Sequence, residues 1–273
     1  MENVRTDEER GYDVLHGNIA QRLGEVTALR VILRLSVMRL RLGARPGSEY
    51  AATGDFWTDE EYPLGVEYAV EGARGILTIR QPRVHVGDFL SLWPLRGGRL
   101  DLDLTNAVPI DLSVHMGVGR ASLDLSGLQV RSLDLDGGVG ELDVTLPERG
   151  ELGVKIDGGV GRIAVALPPA PSELTLRSLH IRSGVGAVRA EVPRRGSFAI
   201  DIDTGIGEVT LELPDEVAAS VVYSGGLGRL NVPVDRFEHL SRGHWQTRGY
   251  NEAAHRATIR VNAGIGAVNV VRA

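Results

Sequence analysis

The sequence predicts an all-β fold, a β-solenoid or β-helix-like stack of turns about 21 residues long. Three observations carry this expectation. A Gly–hydrophobic–Gly triplet recurs at Gly117-Val118-Gly119, Gly138-Val139-Gly140, Gly159-Val160-Gly161, Gly184-Val185-Gly186, Gly205-Ile206-Gly207, Gly226-Leu227-Gly228 and Gly264-Ile265-Gly266, with central residues 21, 21, 25, 21, 21 and 38 positions apart. Alternating apolar residues flank each triplet, the period of a strand with one buried face. Proline closes several repeats at one offset, as Pro147, Pro168, Pro193 and Pro214, and ends a strand because it cannot donate to the ladder.

Counting each repeat from the residue between its glycines, apolar side chains fall at −6, −4, 0, +3, +5 and +7. Around Val139 these are Leu133, Leu135, Leu142, Val144 and Leu146; around Val160, Val154, Ile156, Ile163, Val165 and Leu167; around Ile206, Ile200, Ile202, Val209, Leu211 and Leu213. Positions −6 and −4 read as one inward-facing strand and +3 to +7 as a second. The inward parity changes at the glycine corner, where glycine reaches conformations closed to other residues. The middle residue is expected to point inward, so Val139 and Ile206 are expected to be buried. One turn cannot bury its own apolar face, and its neighbours complete it.

In chain order, residues 1–28 read as a flexible arm or N-terminal cap: a polar leader, then a weak helical pattern from Val14 to Leu23 interrupted by Gly17. Residues 29–98 read as irregular turns. Val31, Leu33, Val37, Leu40 and Leu42 keep the register around a corner of Ser36-Val37-Met38, and Tyr68, Val70, Leu77 and Ile79 keep it around Ala73-Arg74-Gly75. Between them, Pro46 to Pro63 reads as a loop or hairpin carrying Phe56, Trp57 and Tyr62, and Pro82 to Gly98 carries Phe89 and Trp93. Residues 99–273 read as the regular array, with a capping insertion at 233–256 that carries Phe237, Trp245 and Tyr250. Most of the larger aromatics thus lie outside the regular turns, where open solenoid ends need plugs. A ligand platform is the competing role.

Composition narrows the function. With no cysteine, disulfides, thiolate metal sites and Cys nucleophiles are excluded. A net charge of −6 argues against broad attraction to nucleic acid or anionic membranes. The chain opens without a basic region leading into an apolar run, and no stretch of about 20 apolar residues occurs. As written, it is expected to be soluble and cytoplasmic, with any membrane association supplied by a partner.

Stacked turns place equal offsets in columns about 4.8 Å apart, so chemistry belongs in the columns. At −3 the column reads His115, Asp136, Asp157, Arg182, Asp203, Ser224; at −5, Ser113, Asp134, Lys155, His180, Asp201; at +2, Arg120, Glu141, Arg162, Ala187, Glu208, Arg229. The +2 column alternates in sign wherever charged, as a solvated face of cross-strand pairs does. Asp136 and Asp157 stand side by side at −3, with His115 beyond one and Arg182 beyond the other. Two adjacent carboxylates can share a proton or hold a hard cation. The bland alternative is diagonal pairing with Lys155, Arg162 or Arg182. His115, Asp136, Asp157, Arg182 and Trp245 are therefore candidates for a partner or ligand surface, with no catalytic residue, metal site or cofactor expected. The glycine triplets are not phosphate loops, because no helix and no Gly-Lys-Ser/Thr follows.

The run LTNAVPIDLSVHMGVGRASLDLSGLQVRSLDLDGGVGELDVTLP, from Leu104 onward, resembles the toast-rack domain family. So does the C-terminal HWQTRGYNEAAHRATIRVNAGIGAVNVV, and LRLSVMRLRLGAR followed by VEYAVEGARGILTIRQ resembles that family's N-terminal segment. Together these cover about residues 29–273. The family includes the soluble or extracytoplasmic halves of cell-wall-active-antibiotic response (LiaF-like) membrane proteins. The resemblance implies a non-enzymatic β-solenoid scaffold or interaction domain in bacterial envelope-stress sensing or signalling, working through a protein partner, with homo-oligomerisation open. LiaF-like members carry transmembrane helices before the domain and this sequence shows none, so it reads as a stand-alone member or one linked to the membrane by its partner. Two alternatives are a carbohydrate-binding or polysaccharide-acting β-helix, and a solenoid that self-assembles end to end.

Overall fold

The computed structural model describes residues 14–60, 62–82, 97–168 and 173–273. All fifteen regular elements among them are strands of one sheet. Eight long strands form the repeating rungs: β2 (Ala28–Arg45), β7 (Ile110–Asp124), β8 (Val130–Thr145), β9 (Arg149–Ala166), β10 (Glu173–Glu191), β11 (Ser197–Leu213), β12 (Ala218–Asn231) and β15 (Arg256–Arg272). They pair in parallel in the order β2, β7, β8, β9, β10, β11, β15, β12. The central triplet residues are in register, as in Val118↔Val139, Val139↔Val160, Val185↔Ile206 and Ile206↔Ile265.

Chain lengths force each rung to fold back on itself. A straight strand of 15 residues, the length of β7, would span roughly 50 Å. The return to the start of β8 has only residues 125–129, which reach at most about 18 Å. Each rung is accordingly two arms joined at the glycine triplet with their apolar faces together. Leu133, Leu135, Leu142, Val144 and Leu146 of one rung are buried, as are Val154, Ile156, Ile163 and Val165 of the next. Across the bend the arms touch: a Cβ on Gly137 would lie 3.0 Å from Leu142, and one on Gly158 2.8 Å from Ile163.

That contact corrects the expected burial of the middle residue. Val139 is 51% exposed and Ile206 50%. The −2 and +3 residues fill the inside of the bend, which leaves the middle residue at its outer apex. The parity change is real, but it is made by the glycine at +1, as Gly140 with φ 143° shows, and not by an inward knob.

The chain starts and ends less regularly than the repeat. β5 (Arg74–Arg80) and β6 (Gly98–Thr105) make one split rung on β2, β5 pairing Ala28–Arg34 and β6 pairing Met38–Arg45. β4 (Gly65–Glu71) runs antiparallel to β5, so the turn expected around Ala73-Arg74-Gly75 is a hairpin. Only Gly72, at φ 60°, and Ala73 separate its strands, too few for a parallel return. β3 (Tyr50–Asp59) covers β6 antiparallel, and β1 (Val14–Arg22) covers β3. The helical pattern read from Val14 to Leu23 is thus an edge strand, its apolar spacing overridden by pairing. Phe89 and Trp93 lie outside the described residues.

At the other end, β13 (Phe237–Ser241) and β14 (His244–Thr247) form a hairpin on the first arm of β12. β15 then enters between β11 and β12. This explains the 38-residue interval from Leu227 to Ile265: the last repeat in sequence is not the last rung in space.

Candidate functional site

The register assembles the −3 column largely as its offsets imply. His115, Asp136, Asp157 and Arg182 occupy β7, β8, β9 and β10 as successive direct neighbours. The column runs further than those residues. Arg80 and Arg34 precede His115, and Asn262 stands between Asp203 and Ser224 because β15 does. Arg34 and Asn262 sit at the same offset from Val37 and Ile265, so the signal was in the sequence; the rung order was not. Trp245 joins none of these residues. It lies on β14 opposite Val221, beyond β11, β15 and β12 from the rung of Arg182. There it is half-buried against the core, with its ring 4.7 Å from that of His239, which suits a plug for the solenoid end.

Charges in the column are tied off in pairs. His115 Nδ1 is 3.6 Å from Asp136, and its Nε2 meets the Ser113 hydroxyl at 3.1 Å. Lys155 Nζ reaches Asp157 at 2.7 Å and Asp134 at 3.6 Å. Its pKa is raised, chiefly by the hydrogen bond to Asp157 and then by the attraction of Asp134. Arg182 spans Asp157 at 3.8 Å and Asp203 at 4.0 Å, while the Asn262 amide donates to Asp203 at 2.7 Å. Farther along, Asp201 takes His180 at 3.3 Å and Arg260 at 3.4 Å. Lys155 and Arg182 thus both reach Asp157, though not diagonally: Lys155 lies two residues before it on β9 and Arg182 is its direct partner on β10. Arg162 does not: from the +2 column it bonds Glu141 and Asp143.

Chemically this is a ladder, not a pocket. The carboxylates of Asp136 and Asp157 each meet a different partner, the His115 ring and the Lys155 ammonium, and both lie on an outer strand face. Such exposed pairs are weak, because water screens them and holding two long side chains in one geometry costs entropy. Among the described residues no group of three or more His, Cys, Asp or Glu side chains is placed to hold a metal ion, and no helix is long and apolar enough to cross a membrane.

The fold and this surface together define a solenoid-like β domain of stacked two-armed rungs. The chain belongs to the family described as the N-terminal domain of toast_rack, DUF2154, whose model matches residues 6–166. No curated protein matches the chain. Among solved structures, it resembles a candidate cell adhesion protein from Clostridium sporogenes at 18% identity, with a TM-score of 0.45 and coverage of 94% of this chain and 99% of that one. It also resembles a candidate adhesin from Bacteroides fragilis at 12% identity and a TM-score of 0.39, covering 94% of this chain and 97% of that one. Likenesses this distant bring neither a ligand nor a site to the present chain.

Proposed function

We propose that this protein is a non-enzymatic interaction scaffold in bacterial envelope-stress sensing or signalling, with the outward columns, His115, Asp136, Asp157 and Arg182 among them, as its partner-facing surface. Family membership supports the interaction role. The observation that carries the non-enzymatic reading is the engagement of each candidate carboxylate by a cation or donor on an open strand face, without the water-excluding concavity that catalysis favours. Rigid strands hold these charges in fixed rows, which suits recognition of a complementary protein surface more than turnover.

The test is genetic and chemical together. The double variant Asp136→Arg, Asp157→Arg is placed in the native host, and induction of the envelope-stress response by a cell-wall antibiotic is followed beside a deletion strain. A shifted induction threshold in both strains, with the variant protein folded and loss of a cross-linked partner, is the expected result. An unchanged response in the deletion strain overturns the stress role. Hydrolysis or binding of an envelope glycan that is lost in Asp136→Asn, Asp157→Asn overturns the non-enzymatic reading.

A further inference from the structure

The Gly–hydrophobic–Gly triplets build a second feature, separate from the charged columns. At each apex one branched aliphatic side chain stands on the outside of the bend. Val139, Val160, Val185, Ile206 and Ile265 are each between 44% and 51% exposed, and Leu227 is 73% exposed. With Val37 and Val118 they form one unbroken row across eight rungs, about 34 Å long at strand spacing. Such a row exposes roughly 500 Å² of apolar surface, near the upper end of what monomeric proteins leave open. Nothing in rung construction requires it, because the apex could be any residue the solvent accepts.

We propose that this ridge is the contact between two copies of the chain, packed side by side. Three properties favour a second copy over other occupants. The knobs repeat at the strand spacing, and the ridge of a second copy matches them in both period and apolar character over all eight rungs, so identical rows can interdigitate as they do in dry β interfaces. Beside the ridge runs an open trough lined by Gly184, Gly205, Gly264 and Gly226 and, on the side away from the ridge, by Arg182, Asp203 and Asn262 of the −3 column. The ridge of one copy can rest in the trough of the other, and the reverse, which is the self-complementarity a two-fold contact needs. Finally, burying both ridges removes about 1,000 Å² from water, the threshold for a specific interface.

The alternatives fit less well. A membrane would have to accept charges of both signs beside the ridge, Asp136, Asp157, Arg182 and Asp203 at −3 and Arg120, Glu141, Arg162, Glu208 and Arg229 at +2, which is not the uniform basic face that draws anionic headgroups. An added β-strand would need free backbone groups, and those at the apices of the inner rungs face paired neighbours on both sides.

Sedimentation equilibrium of the whole protein at micromolar concentration decides the matter. The wild type is expected to be dimeric, and Val160→Glu, Val185→Glu monomeric, with its strand circular dichroism retained. Because the chain contains no cysteine, Val185→Cys supplies a single thiol that should cross-link the dimer on oxidation, whereas Val70→Cys, exposed but off the ridge, should not. A monomeric wild type overturns the proposal, as does a double variant of unchanged mass. Unfolding of the double variant would put the ridge inside the fold and overturn it too. Filaments insensitive to ridge substitution would mean end-to-end assembly instead. Binding to phosphatidylcholine–phosphatidylglycerol vesicles that the double variant loses would reassign the ridge to lipid. None of these outcomes bears on the antibiotic response of the Asp136 and Asp157 variants, so the two proposals fail separately.

Discussion

A Cβ added to Gly140 would stand 1.7 Å from the carbonyl oxygen of Gly119 in the adjacent rung. The same relation joins Gly161 to Gly140 and Gly186 to Gly161, also at 1.7 Å. The +1 glycine is therefore required twice, for its φ of 143° and for the space its missing side chain leaves to the next rung. Gly140→Ala should cost about 2–4 kcal/mol, since backbone on both rungs must move. Gly153 is the control: nothing lies within 4 Å of its added Cβ, and Gly153→Ala should be neutral or stabilise by up to about 1 kcal/mol. Urea unfolding of the two variants measures the difference, and equal midpoints would refute the stacking role.

Exposure at the apex predicts the opposite of what apolar periodicity alone suggests. Val139→Asp should retain the fold and lose no more than about 1 kcal/mol, because its charge stays in water. Leu135→Ala, at a side chain 1% exposed, should lose about 2–5 kcal/mol. Thermal melts of the pair distinguish the two positions, and a collapsed Val139→Asp would return the middle residue to the core.

These two cases show what the sequence makes legible. Periodicity identified the buried residues at −6, −4, +3, +5 and +7 because inward parity along a strand is a local property. It misplaced the residue at 0 because the side on which a bend is filled depends on the contact of Gly137 with Leu142, a property of the folded rung. The column from His115 to Arg182 was legible since consecutive repeats there are consecutive rungs. Asn262 is missing from that column as read along the chain, because strand order, which puts β15 between β11 and β12, is not written in the repeat. Tyr68 and Val70 fitted the register by their alternation alone, which a hairpin shares with a parallel turn.

Where the glycine corner is missing, another group replaces it. At the corner of Ser36 and Val37, on the side of the split rung of β5 and β6, the Gln81 side-chain oxygen accepts from both N–H groups, at 3.0 and 3.2 Å. Gln81 is 8% exposed, so Gln81→Leu should strand two donors and cost about 1–3 kcal/mol. Gln81→Glu keeps the acceptor and should lose less. Amide hydrogen exchange at Val37, faster in the Leu variant than in the Glu variant, is the local readout.

Lys155 predicts the alkaline limit of the ladder. Its hydrogen bond to Asp157, with the charge of Asp134, raises its pKa above the ordinary value, so its protonated form is favoured more in the folded than in the unfolded chain. That contribution is complete below the ordinary lysine range near about 10.4 and is lost as pH rises through the higher folded value. Wild-type stability should therefore fall more steeply than that of Lys155→Gln between the unfolded and folded pKa values. The Lys155 side chain is half-exposed, so salt should shrink the effect. Parallel slopes at low ionic strength would contradict it.

Arg236 fastens the irregular end of the solenoid to its last regular return. Its guanidinium donates to the carbonyl oxygens of Leu213, Pro214, Asp215 and Val217, at 3.0–3.3 Å, and lies 3.2 Å from the Asp215 carboxylate while only 13% exposed. Those carbonyls belong to the return after β11, the strand against which β15 must insert, whereas Arg236 belongs to the excursion that carries the chain from β12 back to β15. The side chain thus holds the excursion where β15 can enter between β11 and β12. Charge-assisted hydrogen bonds to buried acceptors are the stronger kind, and Arg236→Ala should cost about 2–3 kcal/mol by leaving several unmatched. Arg236→Lys should recover only part of this, since a point charge cannot reproduce the planar fork. Loss of hydrogen-exchange protection in β15 and β12, with β8 and β9 unchanged, is the expected pattern. Uniform loss across all rungs would mean that the C-terminal end does not open as a separate unit.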